Sequence, residues 1–312
     1  MRDKILLLKG GNSSEREISL HTGSSVEQAL VALQMPFDVV DVPSLKEVMS
    51  LPFEDYQGVF LALHGGFGEN GTIQAILESI NVPFNGASGQ ASTICMSKHL
   101  TKLVVRDWAV ATPDCVFVPS RANAQGYADL VGRLGHRFIV KPDAEGCSVG
   151  VSLVSSAAEF DQAFADAAAF ERGVLCEEFI EGDEITVGYL NGRAMPPLAI
   201  TFSQEFFSWE AKFQSSNSTA FAAASLPDTT QKRIERSMSA IAQALNIEDY
   251  FRADFIVRDS QAYLLEINTL PGLNHHSVFP KGCELANISY NAMIEGLIKT
   301  WPKHPASDQA VA

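Results

Sequence analysis

Paired cysteines are missing from this sequence. Its five cysteines (Cys95, Cys115, Cys147, Cys176 and Cys283) are scattered. They form no C-x-x-C and no metal-ligand spacing, so reduced thiols in a cytosolic protein are the expectation. Positive charge is also scarce. The 23 Lys and Arg against 37 Asp and Glu leave a net charge of −14, which argues against a nucleic-acid or anionic-membrane partner. No apolar run approaches the ~20 residues of a membrane-spanning helix. The apolar stretch 5–8, between Lys4 and Lys9-Gly10-Gly11, is too short for a signal-peptide core and reads as a first buried strand. There is no internal repeat and no low-complexity segment. Two nucleotide signatures are absent as well. No Gly-Lys-Ser/Thr opens a helix as in a Walker A loop, and Gly65-Gly66-Phe67-Gly68 does not open a GxGxxG fingerprint. What remains, at 312 residues and 46% hydrophobic content, is a globular chain with room for two or three domains. In so acidic a chain a nucleotide site must concentrate its cations locally, which makes single lysines informative.

The richest stretch lies near the C-terminus. Phe251-Arg252-Ala253-Asp254-Phe255 and Tyr263-Leu264-Leu265-Glu266-Ile267-Asn268 both alternate, and turn residues Asp259-Ser260 lie between them. Side chains two apart on a strand share a face. A hairpin centred on Ser260 sets Asp254 opposite Glu266 and Arg252 opposite Asn268. Two carboxylates, an amide oxygen and a guanidinium then meet on one surface, a hard-oxygen set suited to Mg²⁺. The other reading of the same residues is a hairpin with a salt-bridged wet face.

Upstream, strand and helix alternate. Strands are expected at 5–8, 37–42, 59–63 and 82–84, with helices from a Ser14/Glu17 capping box and over 72–80. This is the pattern of a parallel sheet with ligand loops at its strand ends. A helix is expected over 90–108, carrying Lys98. Strands at 116–118, 138–142 and 174–180, with helices at 127–134 and 157–169, then indicate an α+β unit. Strands at 185–190 and 197–200, helices at 229–245 and 287–301, and the hairpin complete the chain. Lys141-Pro142-Asp143-Ala144-Glu145-Gly146-Cys147-Ser148-Val149-Gly150 reads as a strand feeding a glycine turn and a second short strand. Such a backbone can close over phosphates, with Lys141 adding a point charge.

Taken together, these stretches resemble an ATP-grasp ligase, and closely the D-alanine–D-alanine ligase family. The residues that carry the resemblance are Gly10-Gly11 with Ser14-Glu15-Arg16-Glu17-Ile18-Ser19, and His64-Gly65-Gly66-Phe67-Gly68-Glu69-Asn70-Gly71-Thr72-Ile73-Gln74. They continue with Met96-Ser97-Lys98, Lys141 through Gly150, Glu210-Ala211-Lys212, Arg252-Ala253-Asp254-Phe255 and Glu266-Ile267-Asn268-Thr269-Leu270-Pro271-Gly272. The match runs over about residues 5–300 in family order. It implies an α/β and α+β fold with a Rossmann-like N-terminal domain (1–95) and two lobes that sandwich ATP (96–181 and 182–312). It also implies a cytoplasmic homodimer that makes D-alanyl-D-alanine for peptidoglycan from D-alanine and ATP with two Mg²⁺ ions, Mn²⁺ being an alternative.

The resemblance also implies roles. Lys98 and Lys141 correspond to lysines on the ATP phosphates, and Lys212 to one on the loop that closes over the γ-phosphate. Glu177, Phe179 and Ile180 correspond to the segment holding adenine, and Glu184 to the ribose ligand. Asp254, Glu266 and Asn268 correspond to the metal ligands, with Glu266 bridging. Glu15 corresponds to the anchor for the first amino acid's ammonium, with Ile18 and His64 in the same substrate pocket. Arg252 and the Gly272 N–H correspond to oxyanion stabilisers, and Ser277 and Val278 to the wall around the second amino acid. For His64 a helix-entry hydrogen bond, and for Ser277 and Val278 packing alone, are the competing readings. The chemistry needs such a set. Activating a carboxylate as an acyl phosphate requires cations around the phosphoryl group. Amide formation passes through a tetrahedral oxyanion, and water must be kept out.

The sequence departs from the family at Ser97 and Asn70, where aspartates are usual, and at Phe207-Ser208-Trp209 in the lid. Cys147 stands for a catalytic serine and Phe213 for a tyrosine. The family's Glu–Ser–Tyr network, here Glu15, Cys147 and Phe213, is therefore expected to be weak, since a phenyl ring has no hydroxyl and a thiol is a poor donor. Ligation to D-lactate or D-serine, or a specialised dipeptide, is the alternative this opens. A nucleotide-binding scaffold without catalysis is the alternative of another class.

Overall fold

The computed structural model describes residues 3–119, 126–146, 149–170, 172–202, 219–299 and 301. Its strands form three sheets. The first is parallel, β1 (Ile5–Gly10), β2 (Phe37–Val42) and β3 (Gly58–Leu61), in the order β2-β1-β3. Helix Arg16–Ala32 crosses from β1 to β2. The run Ile5 to Leu8 is apolar because both faces of β1 are covered, and none of the four is more than 1% exposed. The expected strand at 82–84 shrinks to a single bridge, Val59 to Phe84. Pro83 has no N–H for a ladder and contributes only its carbonyl, to Val59 N.

The second sheet holds β4 (Cys115–Val118), β5 (Phe138–Pro142), β6 (Ser152–Val154) and β7 (Val174–Glu178), antiparallel in the order β4-β7-β5-β6. Helices Tyr127–Leu134 and Ala157–Ala168 bury Leu130, Phe160 and Phe164 against Phe138 and Val140. The third sheet holds β8 (Asp183–Leu190), β9 (Arg193–Ala194), β10 (Leu198–Phe202), β11 (Thr219–Ala223), β12 (Tyr250–Arg258) and β13 (Gln261–Asn268). Its order is β11-β10-β8-β12-β13, with β9 on β8. Helix Asp228–Leu245 lays Ile234, Met238 and Ile241 on it. Among the described residues no helix is long and apolar enough to cross a membrane.

Three local expectations change. Helix Arg16–Ala32 starts without the Ser14 cap. Glu15 occupies the cap position, and Ser13 Oγ accepts from Glu15 N and donates to the His64 carbonyl instead. The single helix over 90–108 is two, Gly89–Met96 and Lys98–Arg106, broken at Ser97. No glycine or proline marks the break, because it is made from a distance. Asp143, at the end of β5, takes the Lys98 N–H on its carbonyl at 3.0 Å and the His99 N–H on its carboxylate at 2.7 Å. Ser97 Oγ donates to the same carboxylate. Last, an unanticipated helix, Val278–Leu285, precedes the final one, which runs Tyr290–Lys299 because Asn287 turns left-handed (φ 61°).

The end of the chain folds back on its beginning. Phe279, Met293, Leu297 and Trp301 share one core with Leu6, Leu30 and Phe60. A polar tie crosses the same seam. Asn85, fully buried, accepts from Leu61 N (2.6 Å) and donates to Leu61 O (3.2 Å) and Tyr250 Oη (2.9 Å). Its amide thus acts as one more rung on the edge of β3 and reaches β12. Replacing it by Leu strands the Leu61 N–H and C=O in the core, at about 1–3 kcal/mol each. Urea unfolding of Asn85→Leu should show a loss of about 3 kcal/mol; an unchanged midpoint contradicts the role assigned to this amide.

Candidate active site

The β12–β13 hairpin turns at Asp259-Ser260, both with positive φ (50° and 65°), the conformation of a tight two-residue turn. That turn alone pairs Arg258 with Gln261 and Phe255 with Leu264. Between Phe255 and Asp254 the register steps by one residue, with Leu265 the extra residue of a β-bulge. Beyond the step, Asp254 faces Glu266 and Arg252 faces Asn268. The expected opposition therefore exists, produced by a turn centred between Asp259 and Ser260 followed by a bulge.

Each side chain on this face is held. Arg252 Nε and Nη2 both donate to the Asp254 carboxylate at 3.0 Å, and Thr186 Oγ1 donates to it at 2.6 Å. Burial opposes the Arg252 charge, but Asp254 and then Glu266 outweigh it and raise its pKa. Glu266 Oε2 lies 3.3 Å from Lys98 Nζ, and Lys98 also donates to the Glu145 carbonyl on the glycine loop at 2.5 Å. Asn268 Oδ1 accepts from Leu270 N at 3.0 Å. Lys141 Nζ lies 2.9 Å from Glu177 Oε1, both side chains buried. The Glu177 carboxylate is thus turned toward lysine, while its backbone pairs with Ile139 in the β5–β7 ladder. Phe179 and Ile180 follow after Glu178, with Arg137 stacked over the Phe179 ring at 4.9 Å. Glu184 stands opposite Ile256 in the β8–β12 register.

The other wall comes from the first sheet. Gly65, at φ +60°, passes so close to Glu15 that a Cβ there would lie 2.6 Å from Glu15 Oε2. A Cβ on Gly146 would lie 3.7 Å from the same oxygen, so Glu15 stands between the Gly65 turn and the glycine loop. Ile18, one helical turn on, is half-buried. Glu69 Oε2 accepts from Gly65 N at 3.1 Å, and burial, then the charge of Glu15, pushes its pKa up to about 7. Gly272 sits beside Ser277, whose Oγ would be 3.0 Å from a Cβ at 272; Ser277 and Val278 open helix Val278–Leu285. Cys147 and Lys212, with Phe213, lie outside the described residues. The buried Cys176 and Cys283 have thiols pushed up to about 12 by burial.

Sequence reasoning passed over four residues here. Lys102 is a turn beyond Lys98 on the same helix face, a spacing that could have flagged it. Glu69 lay inside a quoted motif without a role. Asp143 and Thr186 carried no local signal, because their partners, the 97–99 helix start and Asp254, are remote in sequence.

Among the described residues no three His, Cys, Asp or Glu side chains group as a metal cage. Asp254, Glu266 and Asn268 instead offer two carboxylates and an amide oxygen on one face. That donor set fits Mg²⁺, which takes one or two carboxylates and completes its shell with water and substrate phosphates.

His64 is buried with Nε2 2.9 Å from Thr22 Oγ1. Burial lowers its pKa to about 4; a backbone hydrogen bond with Leu270 opposes this and the charge of Arg252 adds to it. It is a neutral hydrogen bonder at neutral pH. An unfolded histidine titrates near 6.5, so the stability tied to this site is full above pH 6.5. It is lost as pH falls toward 4, by about 3 kcal/mol in total. Proton NMR should show the His64 ring neutral down to pH 5; a midpoint near 6.5 contradicts this.

Known proteins are similar to this chain in sequence and in fold. The family described as D-ala D-ala ligase C-terminus matches residues 104–299. The D-alanine–D-alanine ligase of Clostridium botulinum (strain Okra) is 35% identical over 299 residues, covering 95% of this chain and 97% of that protein. The one from Laribacter hongkongensis is 37% identical over 291 residues, 93% of each. Two solved structures of the D-alanine–D-alanine ligase from Bacillus anthracis superpose closely. One, at 31% identity, has a TM-score of 0.86 and covers 95% of this chain and 96% of that one. The other, complexed with ATP and 30% identical, has a TM-score of 0.85 and covers 96% and 97%. The three sheets are those of an ATP-grasp fold, and the chain belongs to the D-alanine–D-alanine ligase family.

Proposed function

We propose that this chain is an ATP-dependent ligase that joins two D-alanines into D-alanyl-D-alanine through D-alanyl phosphate, releasing ADP and phosphate, for peptidoglycan synthesis. The observation that carries the reading is the bulged hairpin, which gathers Arg252, Asp254, Glu266 and Asn268 on one face with Lys98 3.3 Å from Glu266. A pure nucleotide binder has no use for a half-buried arginine on that face. Names and structures of the relatives support the reading, one of them solved with ATP.

In this reading Lys98 and Lys141 offset charge on the ATP phosphates, joined by Lys212. Glu177, Phe179 and Ile180 belong to the segment that holds adenine, and Glu184 holds ribose. Asp254, Glu266 and Asn268 would hold two Mg²⁺ ions, which supply further neutralisation of the transferring phosphoryl group. Glu15 anchors the donor ammonium, and Ile18 and His64 shape the pocket around it. The donor carboxylate attacks the γ-phosphorus and ADP leaves. The amine of the second D-alanine then attacks the acyl carbon, and Arg252 with the Gly272 N–H holds the oxyanion until phosphate departs. Ser277 and Val278 wall the acceptor, and Cys147 contributes from the glycine loop. The three sheets support lobes at 1–95, 96–181 and 182–312. A cytoplasmic homodimer completes the proposal.

Cys147 and Phe213 keep a second acceptor in play. The test is mass spectrometry of products from ATP, Mg²⁺ and D-alanine with D-lactate and D-serine present, and phosphate measured in parallel. D-alanyl-D-alanine should dominate at one phosphate per dipeptide, and Glu266→Gln should abolish it. A mixed product instead identifies another acceptor. No phosphate release from wild type refutes the enzyme reading.

A further inference from the structure

Lys102 is among the largest fully buried side chains of the molecule, and no step above uses it. Its Nζ lies 2.8 Å from Glu177 Oε2 and donates to the Leu264 carbonyl at 3.2 Å. The other oxygen of Glu177 meets Lys141 Nζ at 2.9 Å. One carboxylate is therefore shared by two ammonium groups, and the trio as a whole carries one net positive charge. Three elements converge on it: helix Lys98–Arg106, the β5–β7 pair, and the free edge of β13 beside the bulge. Glu177 stays ionised here, since the two lysines outweigh its burial and lower its pKa. With Lys102 absent, Glu177 would pair with Lys141 alone and cancel the charge that Lys141 offers.

We propose that Lys102 is a positioning residue for nucleotide binding, which occupies half of Glu177 so that Lys141 keeps a net positive charge for the ATP phosphates. The inference rests on the reading that Lys141 meets ATP. Lys102 itself is walled off from the cleft by Glu177 and Leu264 and touches no substrate. Its effect is electrostatic and has a signature that packing lacks: it can be undone by removing the charge Lys102 compensates. A unit charge a few ångströms away in a partly buried site is worth several-fold to many-fold in affinity.

The test compares ATP dissociation constants, from titration calorimetry with Mg²⁺, in wild type, Lys102→Met, Glu177→Gln, Glu177→Gln with Lys102→Met, and Lys141→Met. Lys102→Met should weaken ATP at least about tenfold, with the Michaelis constant for D-alanine moving by less than about twofold. In the Glu177→Gln background there is no carboxylate left to compensate, so adding Lys102→Met there should change ATP affinity by less than about threefold. Circular dichroism establishes that each variant is folded before its affinity is compared. ATP affinity unchanged in Lys102→Met overturns the inference. So does a Lys102→Met effect of the same size in the Glu177→Gln background as in wild type. Lys141→Met separates the two layers. If it leaves ATP binding intact, the phosphate role of Lys141 fails. If it weakens binding while Lys102→Met does not, only the inference about Lys102 fails.

Discussion

A one-residue step in the β12–β13 ladder decides what this protein can do. Without the bulge at Leu265, every residue of β13 beyond it would face the other way. Glu266 would enter the apolar layer occupied by Leu264 and Ile267, both buried, and Asp254 would lose its opposite number. With the bulge, Glu266 and Asn268 join Asp254 and Arg252 on the face toward the cleft. β13 is also an edge strand, and edges need cover. Lys102 and the Ala111 carbonyl provide it, both at Leu264. The irregular stretch of the sheet is thus also where the helix carrying Lys98 docks.

Charge is organised around that point in a chain of net −14. Cations are gathered in the cleft and shared among fewer carboxylates. Lys98 meets Glu266, Lys102 and Lys141 divide Glu177, and Arg252 takes Asp254. Buried ions need such partners, because an isolated one is expelled or neutralised. The arrangement before nucleotide binding is close to balance, so an anionic substrate with its counter-ions exchanges one set of pairs for another. On the opposite wall the carboxyl of Glu69 is raised and His64 is kept neutral, which limits the charge confronting Glu15.

Period-2 alternation made the hairpin and its acidic face legible before any coordinates, and the continuous apolar run at Ile5–Leu8 marked a strand covered on both faces. Glycines marked the turn that follows β5. What was illegible depended on contacts distant in sequence. The break at Ser97 is imposed by Asp143, and the Ser14 cap lost to the Ser13 link with His64. The burial of Lys102 needed the positions of Glu177 and Leu264, 75 or more residues away. The register at the site was reached through a bulge that alternation alone does not reveal. Helix Val278–Leu285 was missed because Pro280 and Gly282 obscure its period, although proline is tolerated within a first turn.

In the proposed reaction this site activates a carboxylate as an acyl phosphate before it forms an amide. Oxygen transfer reads that directly. With D-alanine labelled by ¹⁸O in its carboxylate, ATP and Mg²⁺, attack on the γ-phosphorus carries one labelled oxygen into each inorganic phosphate released, and mass spectrometry of that phosphate should show it. Unlabelled phosphate accompanying dipeptide formation would contradict the acyl-phosphate route and, with it, the roles given to Arg252 and the hairpin.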